Sequence, residues 1–172
     1  MLCVFLYLEL YIQVNRFMPS SLSEFDLTGT GFCASLNFRR AARALTSLFD
    51  HALRDSGIRS TQFTILTAVA NHQPVAIGKI SELLVIDPTT LTRSLNLLRK
   101  QGLLSVSPRG AMRQRFLHLT VEGEKALSRA VPLWRKIQQE FVGQMGEETW
   151  NKLREELELL SNLAVSLDAR TK

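Results

Sequence analysis

Cysteine is scarce in this chain. The two present, Cys3 and Cys33, are too few for a disulfide framework or a four-thiolate zinc site. With 9 Gly and 5 Pro in 172 residues, the chain is neither a linker nor collagen-like. No apolar run reaches the roughly 18–20 residues that a bilayer span needs. Walker loop, nucleophile elbow, dinucleotide fingerprint and H-E-x-x-H are all missing, and no nucleophile is paired with a base, which argues against an enzyme. His51, His72 and His118 have no ligand spacing with one another or with cysteine, so neither a metal nor a cofactor is expected. Hydrophobic residues at 45% and charged residues at 22% describe an ordinary globular chain, long enough for one domain with an extension.

One further absence is local. Between Pro88 and Val121 there is no Asp or Glu, while Arg93, Arg99, Lys100, Arg109, Arg113 and Arg115 all fall in that window. The remaining 15 basic residues face 16 acidic ones, so the whole net charge of +5 is generated by about one fifth of the chain. A solvated face normally mixes both signs. A segment with one sign alone points to an acidic partner, with nucleic acid first among candidates.

The pattern of apolar residues places the elements. Asn37 to Ser56 reads as a helix, with Phe38, Ala41, Leu45, Leu48 and Ala52 on one stripe and Gly57 as its stop. Ser60 is expected to cap a second helix carrying Phe63, Leu66 and Ala70, broken at Asn71–Pro74. Val75–Ile77 is a short extended piece, and Lys79–Leu84 a brief helix. Asp87-Pro88 then gives a strong helix start, a capping carboxylate followed by proline at the first helical position. That helix runs to about Lys100, buries Leu91, Leu95 and Leu98, and stops at Gly102.

Leu103–Ser107 and Gln114–Leu119 read as the strands of a hairpin with Pro108–Arg113 as its loop. Thr120 caps the following helix, which Pro132 should interrupt or kink. Glu147–Leu167 is the last helix. Trp150, Leu153, Leu157, Leu160, Ala164 and Leu167 form a seam suited to another helix. The fold class is therefore mainly α with a small β-hairpin wing: a winged helix-turn-helix plus a helical dimerisation region.

The acid-free window coincides with the second helix of the turn and the wing. Opposite the Leu91/Leu95/Leu98 stripe lie Thr89, Arg93 and Asn96, flanked by Thr90 and Thr92. Arg matches guanine O6 and N7, Asn matches adenine N6 and N7, and Thr offers a hydroxyl or a methyl to thymine. Arg109 and Arg113, at the hairpin tip, suit a narrow minor groove, and Arg115 faces phosphate or solvent. The expected partner is double-stranded DNA. Two readings compete: a solvated face that merely keeps the helix soluble, and a winged helix that binds protein.

Three stretches resemble the MarR-type winged-helix transcriptional regulators: NFRRAARALTSLFDHALRDSGIRSTQFTILTAV (Asn37–Val69), IDPTTLTRSLNLLRKQGLL (Ile86–Leu104) and RQRFLHLTVEGEKAL (Arg113–Leu127). Arg113, Leu119, Thr120 and Gly123 fit the family's wing pattern. Ala111 stands where an acidic residue is usual, and Val85 where a glycine commonly ends the first helix of the turn. The resemblance implies a cytoplasmic homodimeric repressor on an imperfect inverted repeat with half-sites about 10 bp apart. It also implies release by a small aromatic or phenolic effector bound between the dimerisation and DNA-binding parts. On this reading residues 33–58 and 121–167 dimerise, with Trp150, Leu153, Leu157 and Leu160 in the interface, and residues 59–120 bind DNA.

Residues 1–32 read as a leader. Residues 1–14 are strongly apolar but lack a basic n-region and a small-residue cleavage site. They fit a start-site artefact with Met18 as initiator, an extra packed element, or an interfacial anchor; the polar stretch from Pro19 favours the first, and no membrane partner is expected. Cys33 reads first as a small buried hydrophobe and second as a redox-sensing thiol near Arg39 and Arg40. Trp134 and Trp150 read as core residues, with an effector cleft as the lesser alternative.

Overall fold

A computed structural model describes residues 29–107 and 115–171. The leader up to residue 28, the Arg109 and Arg113 positions and Ala111 lie outside the described residues. Contacts divide the chain into residues 1–42 and residues 43–172. A 3-10 turn, Thr30–Phe32, leads through Cys33 into helix α1, Ala34–Ala52, whose residues up to Ala42 fall in the first unit and whose later residues fall in the second. The Asn37 side chain donates to the carbonyls of Gly31 and Cys33 and so ties the turn to the helix start. The helix begins at Ala34, three residues before the expected Asn37. Its expected last turn is instead a 3-10 turn, Arg54–Ser56, closed by Gly57 in the left-handed region.

In the second unit α2 (Ser60–His72), β1 (Val75–Ala76), α3 (Ile77–Leu84), α4 (Pro88–Lys100), β2 (Leu104–Val106), β3 (Phe116–Leu119), α5 (Val121–Met145) and α6 (Glu147–Thr171) follow in order. One core joins all of them except α6. Leu53, Leu66, Ile80, Leu91, Leu98 and Leu117 are fully buried within it, and Val69, Leu95 and Ala126 pack beside them. The Leu91/Leu95/Leu98 stripe is thus the inner face of α4, as the spacing requires.

The sheet has three antiparallel strands in the order β1-β3-β2, one more than the expected hairpin. Val75 pairs with Leu117 and Ala76 with Phe116 on one side of β3, while Leu104 pairs with Leu119 on the other. A two-residue strand leaves no alternation to read in a sequence. Its place in the sheet is set by the fully buried Leu117 between Val75 and Val106.

Two sequence expectations are corrected. Ser60 is not the cap of α2 but its first residue; Arg59 holds the cap position. The Arg59 N–H donates to the Gln62 side chain, and Asp50 reaches in from α1 to accept from both the Ser60 N–H and its hydroxyl. Pro132 does not interrupt α5, which runs through it for 25 residues.

Thr120 does cap α5. Its hydroxyl oxygen accepts from the Gly123 N–H at 3.0 Å and its hydroxyl donates to the Gly102 carbonyl at 2.6 Å. Gly123 sits so close to β2's approach that a Cβ there would overlap the Leu103 carbonyl oxygen.

Among its described residues helix α6 buries none, and neither does α1. Trp150, Leu153 and Leu157 are half-buried, but from Leu159 to Leu167 the apolar residues of α6 are exposed. Among the described residues no helix is long and apolar enough to cross a membrane.

Candidate nucleic-acid interface

The second helix of the turn is held at both ends. At its start the Asp87 carboxylate accepts from the N–H groups of Thr89 and Thr90, at 3.0 and 2.9 Å, and Pro88 occupies the first helical position. Thr90, first by its hydroxyl and then by its N–H, holds the Asp87 carboxyl below the usual aspartate range; the Thr89 N–H and the charge of Arg93 add to this.

The turn itself is closed by the Ser81 hydroxyl, which donates to the Ile86 carbonyl at 2.6 Å. Val85 ends α3 at φ 50°, ψ 45°, in the left-handed region. A β-branched residue is strained there, and glycine would not be.

Thr89, Thr90, Thr92, Arg93 and Asn96 all project from the exposed side of α4. The structure thus brings the five helix candidates to one face. It also changes what two of them offer. Thr92 donates its hydroxyl to the Pro88 carbonyl at 2.6 Å, and Thr90 bonds back to Asp87. Their methyl groups and free lone pairs remain for a partner, so they suit a thymine methyl better than a base acceptor. Arg93 and Asn96 keep long polar ends on the exposed face.

A groove of about 630 Å³ lies between the second half of α4 and β2, lined by Asn96, Arg99, Lys100, Leu104, Ser105 and Val106. The sequence places Arg99 and Lys100 in the basic window without marking them as site residues. The signal available was their position one turn after Asn96; the missing information was that β2 folds back beside them. Arg115 is exposed at the start of β3, where its carbonyl accepts from the Ile77 N–H at 3.4 Å.

A second cleft, of about 300 Å³, lies where the end of α1 meets the start of α2 and the middle of α5. Its walls are Leu45, Phe49, Leu53, Phe63 and Trp134, with Thr46, Ser60, Thr61, Thr64 and Gln138 adding polar groups. Trp134 stacks on Phe63 with ring centroids 5.8 Å apart. Trp134 is therefore both a packing residue and a cleft wall. Trp150 packs edge-on against Phe141.

Cys33 is an exposed free thiol, not the buried hydrophobe its apolar character suggested. It stands at the entry to α1, and neither that helix nor the turn before it buries a residue. Among the described residues no three His, Cys, Asp or Glu side chains group as metal ligands.

Comparison with known proteins agrees with this geometry. The model of the MarR family matches residues 56–113, starting at the end of the 3-10 turn that follows α1. The transcriptional regulator HosA of Escherichia coli O127:H6 is 30% identical over 104 residues, which cover 60% of this chain and 76% of HosA. The M. tuberculosis transcriptional regulator MosR, solved in complex with DNA, is 36% identical with a TM-score of 0.71, over 78% of this chain and 97% of MosR. PcaV of Streptomyces coelicolor, solved with its natural ligand, has the same fold at 18% identity and a TM-score of 0.71, over 81% of this chain and 99% of PcaV.

Proposed function

The chain belongs to the MarR family of DNA-binding transcriptional regulators, and we propose that it acts as a homodimeric repressor on an imperfect inverted repeat and is released by a small aromatic or phenolic effector. As such a regulator it is a binding protein and not an enzyme. The observation that carries the reading is the exposed α4 face, on which Arg93 and Asn96 stand with three threonines and no carboxylate beyond the capping Asp87. Its first half enters the major groove and reads base edges. Arg99 and Lys100, with Arg109, Arg113 and Arg115 of the wing, neutralise phosphates or reach the minor groove. Residues 59–120 form the DNA-binding part.

Residues 33–58 and 121–167 form the dimer. The exposed Leu45 and Leu48 of α1 and the exposed Leu160, Leu163 and Leu167 of α6 support this, because apolar stripes of that length ordinarily meet a partner. Trp150, Leu153, Leu157 and Leu160 lie on that seam. A twofold dimer presents two copies of α4 to successive major grooves, which sets the half-site spacing at about 10 bp. The cleft beside Trp134 and Phe63 supports the effector: aromatic walls take a flat ring, and Ser60, Thr46 and Gln138 take its polar substituents. The cytoplasm, where DNA is met, is the place of action. A redox role for Cys33 is a second reading, favoured only by its exposure.

Fluorescence anisotropy tests the proposal, using duplex DNA from upstream of the chain's own gene and a scrambled duplex of equal length, with salt stepped through physiological strength. A preference of about 10³-fold or more for the upstream duplex is expected. Equal binding that fades with salt for both duplexes sinks the claim that this sequence is its operator.

A further inference from the structure

The first turn of α2 makes a contact that neither capping nor the hydrophobic core requires. Gln62 is 9% exposed, and both ends of its side-chain amide are engaged. Its oxygen accepts from the Arg59 N–H at 2.9 Å, which fixes the amide plane. Its nitrogen donates at 2.7 Å to the side-chain oxygen of Gln101, 39 residues away. Gln101 is the C-cap residue of α4, and its own N–H closes the last turn onto the Leu97 carbonyl. The bond therefore runs from the buried Gln62 in the first turn of one helix to the exposed end of the helix that faces outward with Arg93 and Asn96.

The same turn is gripped from the other side. Asp50 on α1 takes both hydrogens that Ser60 offers, at 2.7 and 2.6 Å. Ser60, Thr61, Phe63 and Thr64 of this turn also form one wall of the cleft that Trp134 closes. A shift of the turn, whether from α1 or from matter in the cleft, is handed to α4 through one side chain of fixed orientation.

We propose that Gln62 is a positioning residue for DNA readout, which sets the placement of α4 through Gln101 and so contributes to discrimination between sequences rather than to general affinity. The inference rests on the DNA-reading function proposed above. Base-edge contacts are directional and fail with small displacements, whereas long Arg and Lys side chains follow a phosphate that moves. A loosened α4 should keep its salt-dependent, sequence-blind attraction and lose its preference.

The test uses the full chain and the duplex that the parent selects from a random-sequence library, against a scrambled duplex, by anisotropy over a salt series. Gln101→Ala is the decisive variant, because Gln101 is exposed and its loss leaves the Gln62–Arg59 bond intact. Its preference for the selected duplex should fall about 5–10-fold, with an unchanged salt slope. Gln62→Leu should lose as much or more, and the double variant no more than the worse single, since both break one bond. Gln101→Glu, which still accepts from Gln62, should keep the parent's preference even as its charge weakens binding to both duplexes.

A parent that discriminates while Gln101→Ala discriminates equally overturns this inference alone, as do single effects that multiply in the double variant. A parent that selects no sequence overturns the DNA-reading function and this inference with it.

Discussion

The hydroxyl of Thr120 donates to the carbonyl oxygen of Gly102 at 2.6 Å while accepting from the N–H of Gly123, so one side chain joins the end of α4 to the beginning of α5. The Thr120 N–H adds a bond to the Leu103 carbonyl at 3.3 Å. Thr120→Ala removes the cap and the bridge together and should cost about 1–2 kcal/mol. Thr120→Ser keeps both bonds and should recover most of that loss. Urea midpoints of the two variants check it; equal midpoints for Ala and Ser would mean that the hydroxyl contributes nothing.

Gly123 is expected to tolerate no side chain. The overlap of an added Cβ is with the Leu103 backbone carbonyl, which cannot swing aside as a flexible side chain can. Gly123→Ala should destabilise by about 1–3 kcal/mol, with α5 displaced from β2. A melting curve that coincides with the parent's would show that the helix start can back away freely.

Val85 predicts the opposite sign. It is 62% exposed, so its side chain contributes little packing to offset its left-handed backbone. Val85→Gly should raise stability by about 1 kcal/mol and the melting temperature by about 2–4 °C. No gain, or a loss, would show that the valine packs to better effect than its exposure implies.

Acid sensitivity follows from two aspartates. Ser60 holds the Asp50 carboxyl below its ordinary value, first by its hydroxyl and also by its N–H, with the charge of Arg59 adding; Thr90 does the same for Asp87. Because both are depressed on folding, their contribution is complete above the unfolded aspartate value of about 3.9 and is lost as pH falls through the lower folded values. Near neutral pH, Asp50→Asn should therefore be less stable than the parent, and the gap should close as pH is lowered through that range. Chemical denaturation across a pH series measures the gap, and one that stays constant to low pH removes Asp50 from the linkage.

Arg93 and Lys100 should separate reading from holding. Arg93→Ala should cost about 1–3 kcal/mol on the preferred duplex and relax base choice at one position. Lys100→Ala should weaken every sequence alike and reduce the salt slope by about 1. Identical behaviour of the two variants would dissolve the distinction between the first half of α4 and the groove beside β2.

Much of this was legible in the sequence where the cause is local. Asp87-Pro88 announces a helix start because the capping oxygen and the proline act within one turn. Leu91, Leu95 and Leu98 announce an inner face because helical spacing is a local property. The cap of α2 was misread for the reverse reason: the oxygen that serves Ser60 belongs to Asp50, ten residues earlier on another helix. The pairing of Val75 with Leu117, the groove along Arg99 and Lys100, and the Gln62–Gln101 bond all depend on segments that meet only after folding. The exposed placement of the five α4 residues is readable from spacing alone. That Thr92 turns its hydroxyl to Pro88 was not, because it depends on a rotamer.

The exposed stripe of α6 has a consequence for the life of the protein outside its complex with DNA. A helix that buries none of its residues is held weakly by its own chain, and such elements open at the least cost in free energy. In the homodimer proposed above, a protomer diluted away from its partner would carry Leu159, Leu163 and Leu167 into water and offer proteases the segment they cut most readily. Under that proposal scarcity would hasten removal, so low abundance would reinforce itself: a cell that stopped making the regulator would clear what remains faster than dilution by growth alone.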